Sequence, residues 1–132
     1  MSQGDMDIVR WLYHDLSRGD LAAVEAKLGA EVEWDTQTRG SDGALVYGIE
    51  AAANTIREWL DAWEDATFEV LDIRDAGDQI AGHLRQHATA KISGIAGDVD
   101  AFASFRMHGG KIVGYREHST WSEALAFVGL AA

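Results

Sequence analysis

The sequence contains no cysteine and no proline. Without cysteine there is no disulfide framework, no thiolate nucleophile and no thiolate metal ligand. Without proline, the turns fall to glycine and aspartate. Positive charge is scarce as well, with 11 Lys and Arg against 22 Asp and Glu and a formal net charge of −11. The basic residues are scattered, whereas a duplex or an anionic membrane surface needs them clustered, so nucleic-acid and membrane partners are argued against. No apolar run approaches the roughly 18 residues of a membrane span. The first ten residues, "MSQGDMDIVR", are acidic and lack a signal-peptide core, so a cytoplasmic location is expected. No histidine and acid stand at the helical i, i+4 spacing of a metal site, and the glycines of "SGIAGD" and "GSDG" lack the strand–turn–helix context of a phosphate loop. Neither a metal nor a cofactor is expected.

What remains is an ordinary globular composition, 47% apolar and 25% charged over 132 residues, enough for one domain, 1–132, around one core. Ile8, Val9, Leu12, Tyr13 and Leu16 recur at helical spacing over 6–17. Gly19 ends that helix and Asp20 is placed to cap a second, with Leu21, Val24 and Leu28 as its buried stripe and Gly29 as its stop. "EVEWD" reads as a short strand and "TRGSDG" as a loop. A third helix follows Tyr47-Gly48, with Ile49, Ala52, Ala53, Ile56, Leu60 and Trp63 on its apolar face. From "TFEVLDIRD" onward the pattern is strands, turning at Ala76-Gly77, at "SGIAGD" and at "HGG". "SEALAFVGL" closes as a helix with Ser122 as the expected cap. Helices first and an antiparallel meander after make an α+β arrangement, helices covering one face of a curved sheet. Such a sheet can leave a pocket beneath the helices.

One strand carries the clearest chemistry. In "GYREHSTW", residues 114–121, alternation sets Tyr115, Glu117, Ser119 and Trp121 on one face and Gly114, Arg116, His118 and Thr120 on the other. An acid between aromatics fits a face that lines a dry pocket, where a carboxylate is suited to proton transfer. Asp35 ends the short strand after Trp34. On "DQIAGHLRQHATAKI", Ile80, Leu84, Ala88, Ala90 and Ile92 form the apolar side, so patterning alone turns His83, Arg85 and His87 the other way. Trp59 and Trp63, four residues apart, would share a helix face and with Trp34 and Trp11 could wall a ring-shaped ligand. His14, His108 and His118 read as surface or turn residues.

Taken together, "SRGDLAAVEAKLGAEVEWD", "YGIEAAANTIREWL" and "GGKIVGYREHSTWSEAL" resemble the nuclear-transport-factor-2-like (NTF2-like) superfamily, in its SnoaL-like and ketosteroid-isomerase-like branch, over nearly the whole chain. The resemblance implies an NTF2-like cone-shaped barrel with an apolar pocket at its open end, and a homodimer. "YREH" at 115–118 and "RQH" at 85–87 are also similar to motifs of the limonene-epoxide-hydrolase group. That likeness puts Glu117 where those enzymes keep a catalytic aspartate, and turns Arg85 and His87 inward, with His87 in place of the second acid. The ketosteroid-isomerase comparison points to Asp35 as a proton-shuttling carboxylate. The resemblance thus implies a cofactor-independent acid–base enzyme (isomerase, cyclase, dehydratase or epoxide hydrolase) acting on a small apolar cyclic or polyketide-like molecule. Glu117, Asp35, His87 and Arg85 would be catalytic, and Trp34, Tyr115, Trp59, Trp63, Phe102 and Tyr13 would line the pocket. The alternative is a dimeric small-molecule-binding or accessory protein without catalysis.

Overall fold

The computed structural model describes residues 2–130. The first periodic stretch forms α1 (Ser2–Ser17), and its stripe of Val9, Leu12, Tyr13 and Leu16 is buried. Asp20 caps α2 (Leu21–Ala26), its carboxylate accepting from the Ala23 amide at 3.1 Å. This helix is shorter than the spacing of Val24 and Leu28 suggests. Leu28 instead opens strand β1 (Leu28–Asp35), which also contains Gly29. The Ile112 amide donates to the Lys27 carbonyl at 2.9 Å, and Leu28 lies beside Ile112 in the sheet. A strand partner has therefore taken the backbone that local periodicity assigned to a helix.

A 3-10 segment (Gln37–Asp42) follows, then a short strand absent from the sequence reading, β2 (Leu45–Tyr47). Helix α3 (Ile49–Asp61) buries Ala52, Ala53 and Ile56 and ends two residues short of Trp63, because β3 (Trp63–Asp75) begins there, paired with Ala90. Trp59 and Trp63 accordingly sit on different elements. Strands β4 (Gln79–Ala90), β5 (Ala96–His108) and β6 (Lys111–His118) complete the meander. Gly109 and Gly110, with φ of 59° and 75°, make the β5–β6 turn, a conformation that side chains with a Cβ seldom adopt. Beyond His118 the chain leaves the sheet. The Thr120 hydroxyl, rather than Ser122, accepts from Glu123 and caps α4 (Trp121–Phe127). Trp121 is therefore helical and does not continue the Tyr115–Glu117 face.

The six strands form one sheet in the order β2-β1-β6-β5-β4-β3, antiparallel except for the parallel β1–β6 pair. The sheet curves but does not close, so the expected barrel is an open one. Its main core holds Val9, Leu12, Ile56, Ile80, Leu84, Phe105 and Ile112, and lies between the sheet's concave face and helices α1 and α3. A smaller cluster, Ala81 with Ala124, Leu125 and Val128, fixes α4 to the opposite face. Leu84 and Gln86 thus point to the concave side, and Ala81, His83, Arg85 and His87 to the convex side.

Candidate functional site

A cavity of about 380 Å³ lies on the concave side between the sheet and helices α1 and α3, a size typical of small-molecule sites. Tyr115 and Glu117 come to it from β6, Trp34 from β1, Tyr13 from α1, Trp59 from α3, and Trp63 and Phe68 from β3. Parallel pairing sets Trp34 beside Tyr115, and their rings stack with centroids 4.0 Å apart and planes 19° apart. Tyr13 packs edge-on against Phe105 at 6.1 Å, and Trp59 lies 5.5 Å from Phe68. These rings give the cavity a largely aromatic wall.

Glu117 is the acid at the centre of this wall. Its carboxylate accepts from the Tyr115 hydroxyl at 2.6 Å, from Arg39 Nε at 2.8 Å and from Arg39 Nη2 at 2.5 Å. Three of roughly four lone-pair positions are thereby used, and one remains. The Tyr13 phenol lies in the same wall. Burial, then the nearby Glu117 charge, pushes both phenols far above the usual tyrosine range. They stay protonated at neutral pH and can only serve as donors or relays.

Arg39 is the residue that the sequence reading missed. It rides on the 3-10 segment, forms a two-point clamp on Glu117 and places its guanidinium 5.1 Å from the centre of the Trp59 ring. Its one signal in the sequence is that no other Lys or Arg stands between Lys27 and Arg57. Thr38 helps to anchor the segment, its hydroxyl donating to the Glu117 carbonyl at 3.0 Å.

The other expected catalytic residues do not converge on Glu117. Arg85 and His87 lie on the convex face, as alternation of β4 requires, and the inward register implied by the epoxide-hydrolase likeness does not hold. Arg85 clamps Asp100 at 2.7 and 3.1 Å, and His83 meets the same carboxylate at 3.0 Å. His87 lies between Asp98 at 2.6 Å and Glu69 at 3.3 Å. Asp100 borders the cavity, but Arg85 and His83 hold its carboxyl well below the usual range, so it has no proton to give near neutrality. Asp35 is buried and accepts from the Gln37 amide at 2.9 Å, starting the turn into the 3-10 segment, and is not among the cavity's lining residues.

Among the expected wall residues, Trp34, Tyr115, Trp59, Trp63 and Tyr13 line the cavity. Phe102 borders it, but its ring lies 4.8 Å from His83, in the cluster under α4 on the convex side. Trp11 is exposed and meets only the His14 ring edge-on at 5.2 Å. His118, expected at the surface, is half-buried beside Phe127 and shares a 2.9 Å hydrogen bond with Ser104. Burial and the neighbouring Arg116 charge lower its pKa. Among the described residues no three histidine or acid side chains gather as a metal site, and no helix is long and apolar enough to cross a membrane.

This geometry, an open curved sheet with helices enclosing a cavity on its concave face, is that of NTF2-like proteins. The SnoaL-like domain model matches residues 9–115, and the chain belongs to that family. Among solved structures, it is similar to an NTF2-like protein of unknown function from Burkholderia pseudomallei, with 22% identity, 98% and 99% of the two chains covered and a TM-score of 0.77. A putative polyketide cyclase from Xanthomonas campestris matches at 21% identity, over 97% and 98% of the two chains, with a TM-score of 0.74. A Mycobacterium tuberculosis protein crystallised with estradiol-17beta-hemisuccinate matches at 17% identity, over 89% and 94%, also with a TM-score of 0.74. At these identities the likeness shows a shared fold. No curated protein matches the chain.

Proposed function

We propose that this protein is a cofactor-independent acid–base enzyme that acts on a small, largely apolar ring compound, with Glu117 as the group that takes and returns the proton. The observation that carries this reading is a carboxylate held among aromatic rings at a cavity wall with one acceptor position unused. Arg39 and Tyr115 fix its orientation, so a substrate C–H or O–H entering the cavity would meet an oriented base. Tyr13, kept protonated by burial, would donate toward an oxygen on which charge develops. The stacked Trp34 and Tyr115 rings suit a flat molecule, and the Xanthomonas and Mycobacterium structures, a putative polyketide cyclase and a steroid-ester complex, agree with that ligand class. The reading rests on Glu117 and Tyr115; Asp35, Arg85 and His87 have partners elsewhere.

The test is solvent exchange. A panel of cyclic ketones is incubated with the protein in D₂O and the loss of α-proton signals is followed by NMR, with cyclic epoxides screened in parallel for opening. Glu117→Gln is expected to reduce turnover by about 100-fold or more while ligand-induced quenching of tryptophan fluorescence persists. Equal rates in the two proteins would remove Glu117 from the mechanism.

The Arg39 clamp favours a second reading, because a carboxylate already neutralised by a bidentate guanidinium also suits a binding protein without catalysis. Saturable quenching by ring compounds with no exchange or opening across the panel would select it. The homodimer is part of either proposal and rests on the family likeness. Light scattering after gel filtration should give twice the 14.4 kDa chain mass, and a monomer would remove it.

A further inference from the structure

We infer that Gln86 recognises a carbonyl oxygen at the end of the ligand remote from Glu117. The inference rests on the reading above that the cavity binds an apolar ring compound, and it adds what that compound must carry.

The cavity has two polar ends in different states. At one, Glu117, Tyr115 and Arg39 are joined by hydrogen bonds. At the other, Gln86 is only 5% exposed and lines the cavity, yet its side-chain Nε2 has no hydrogen-bond partner. Trp63, a second lining residue on a different strand, likewise has a buried indole Nε1 without a partner. Buried donors in native proteins are nearly always paired, so two orphans at one cavity ask for an explanation. Neighbouring strands offer none, since Gln86 lies in register between Phe68 and Val99, both apolar. Gln86 also interrupts an otherwise apolar row, Ile80, Leu84 and Ala88, on the concave face of β4. A leucine there would have continued the core at no polar cost.

The register gives the span. Glu117 is opposite Ala103, Ala103 is opposite Gly82, and Gln86 is four residues further along β4. With about 4.8 Å between strands and about 3.4 Å per residue, the two ends lie on the order of 15 Å apart along the sheet. A single small group cannot serve both. Both orphans are donors, so the complementary ligand group is an acceptor. An elongated ring system with a carbonyl oxygen at its distal end satisfies Gln86 while presenting its other end to Glu117; Trp63, paired with Ala90 four residues further along the ladder, is too distant to share that oxygen.

Two probes of matched shape test this: 4-acetylbiphenyl, and 4-ethylbiphenyl, which replaces the carbonyl by a methylene. Binding is measured by calorimetry, together with the ¹H–¹⁵N resonances of the Gln86 amide. The wild-type protein is expected to prefer the ketone by about tenfold, the equivalent of one net hydrogen bond, with those resonances moved by the ketone and not by the hydrocarbon. Gln86→Leu should abolish the preference, retain hydrocarbon binding and leave the thermal midpoint unchanged or raised.

Equal binding of the two probes to the wild type would overturn this inference alone and leave the cavity reading standing. A preference that survives in Gln86→Leu would do the same. Binding of neither probe would overturn the cavity reading itself. Should Gln86→Leu fail to fold, the fold rather than a ligand needs the amide, and the inference falls.

Discussion

Arg39 and Glu117 depend on each other across 78 positions of sequence. Both side chains are mostly withdrawn from water, at 24% and 12% exposed, so removing one leaves the other partly buried and unpaired. Arg39→Met is expected to destabilise the protein by about 2 kcal/mol, measured by urea unfolding, and to reduce whatever activity Glu117 supports. A variant as stable as wild type would mean that water replaces the guanidinium at no cost. Tyr115→Phe removes one of three hydrogen bonds to the carboxylate but keeps the stack on Trp34. It should lower activity more than stability, and kinetics beside thermal melts will separate the two.

At the scale of elements, the 3-10 segment is a mount for Arg39, and Gly43 decides whether it closes. A Cβ on Gly43 would stand 1.9 Å from the Thr36 carbonyl oxygen, a backbone atom that cannot rotate away. The Thr36 amide donates to the Ala44 carbonyl at 2.8 Å and the Ala44 amide to the Thr36 hydroxyl at 3.0 Å, so the loop ends are already fixed. Gly43→Ala is therefore expected to release the segment and lose the Arg39–Glu117 contact, seen as fast amide exchange over 37–43 in a domain that otherwise stays folded. Unaltered protection would show that the loop accommodates the methyl.

The β4–β5 ladder on the convex face sets a pH dependence. Asp98 and Glu69 raise the pKa of His87. Its folded pKa exceeds the unfolded value, so its contribution is complete below about pH 6.5 and fades as pH rises through the raised folded value. Asp100, held low by Arg85 and His83, acts in the opposite sense, contributing above about pH 4 and failing only in stronger acid. Wild type should therefore lose thermal stability relative to His87→Gln as pH is raised from 6.5 to 8.5. Parallel melting curves would show that the histidine is energetically idle.

For the whole molecule, the two faces of one sheet divide the work. Phe105, fully buried at the centre of the sheet, touches both Tyr13 and Tyr115 and so joins the core to the cavity wall. Phe105→Ala should cost about 4 kcal/mol and leave both tyrosines unsupported, detectable as lost stability together with weakened ligand binding.

Local physics made part of this protein legible in its sequence. Apolar spacing marked α1 and α3, glycine and aspartate marked the turns, and alternation put Tyr115 with Glu117 and turned Arg85 with His87 away from Leu84. Where the reading erred, a non-local partner had intervened. Leu28 became strand because β6 took its backbone, Trp63 left the helix to pair with Ala90, and Trp121 turned into α4 under the Thr120 cap. Periodicity reports which side chains share a face. It does not report which face curves inward or which strands become neighbours, because those follow from packing among segments far apart in the chain. Local pattern was enough for α1, α3, the strand meander, the α+β class and the acid between aromatics. Only the tertiary structure brought Arg39 to that acid, left Asp35 outside the site, and gathered the unpaired donors of Gln86 and Trp63 around one cavity, since each of these depends on contacts that no local pattern encodes.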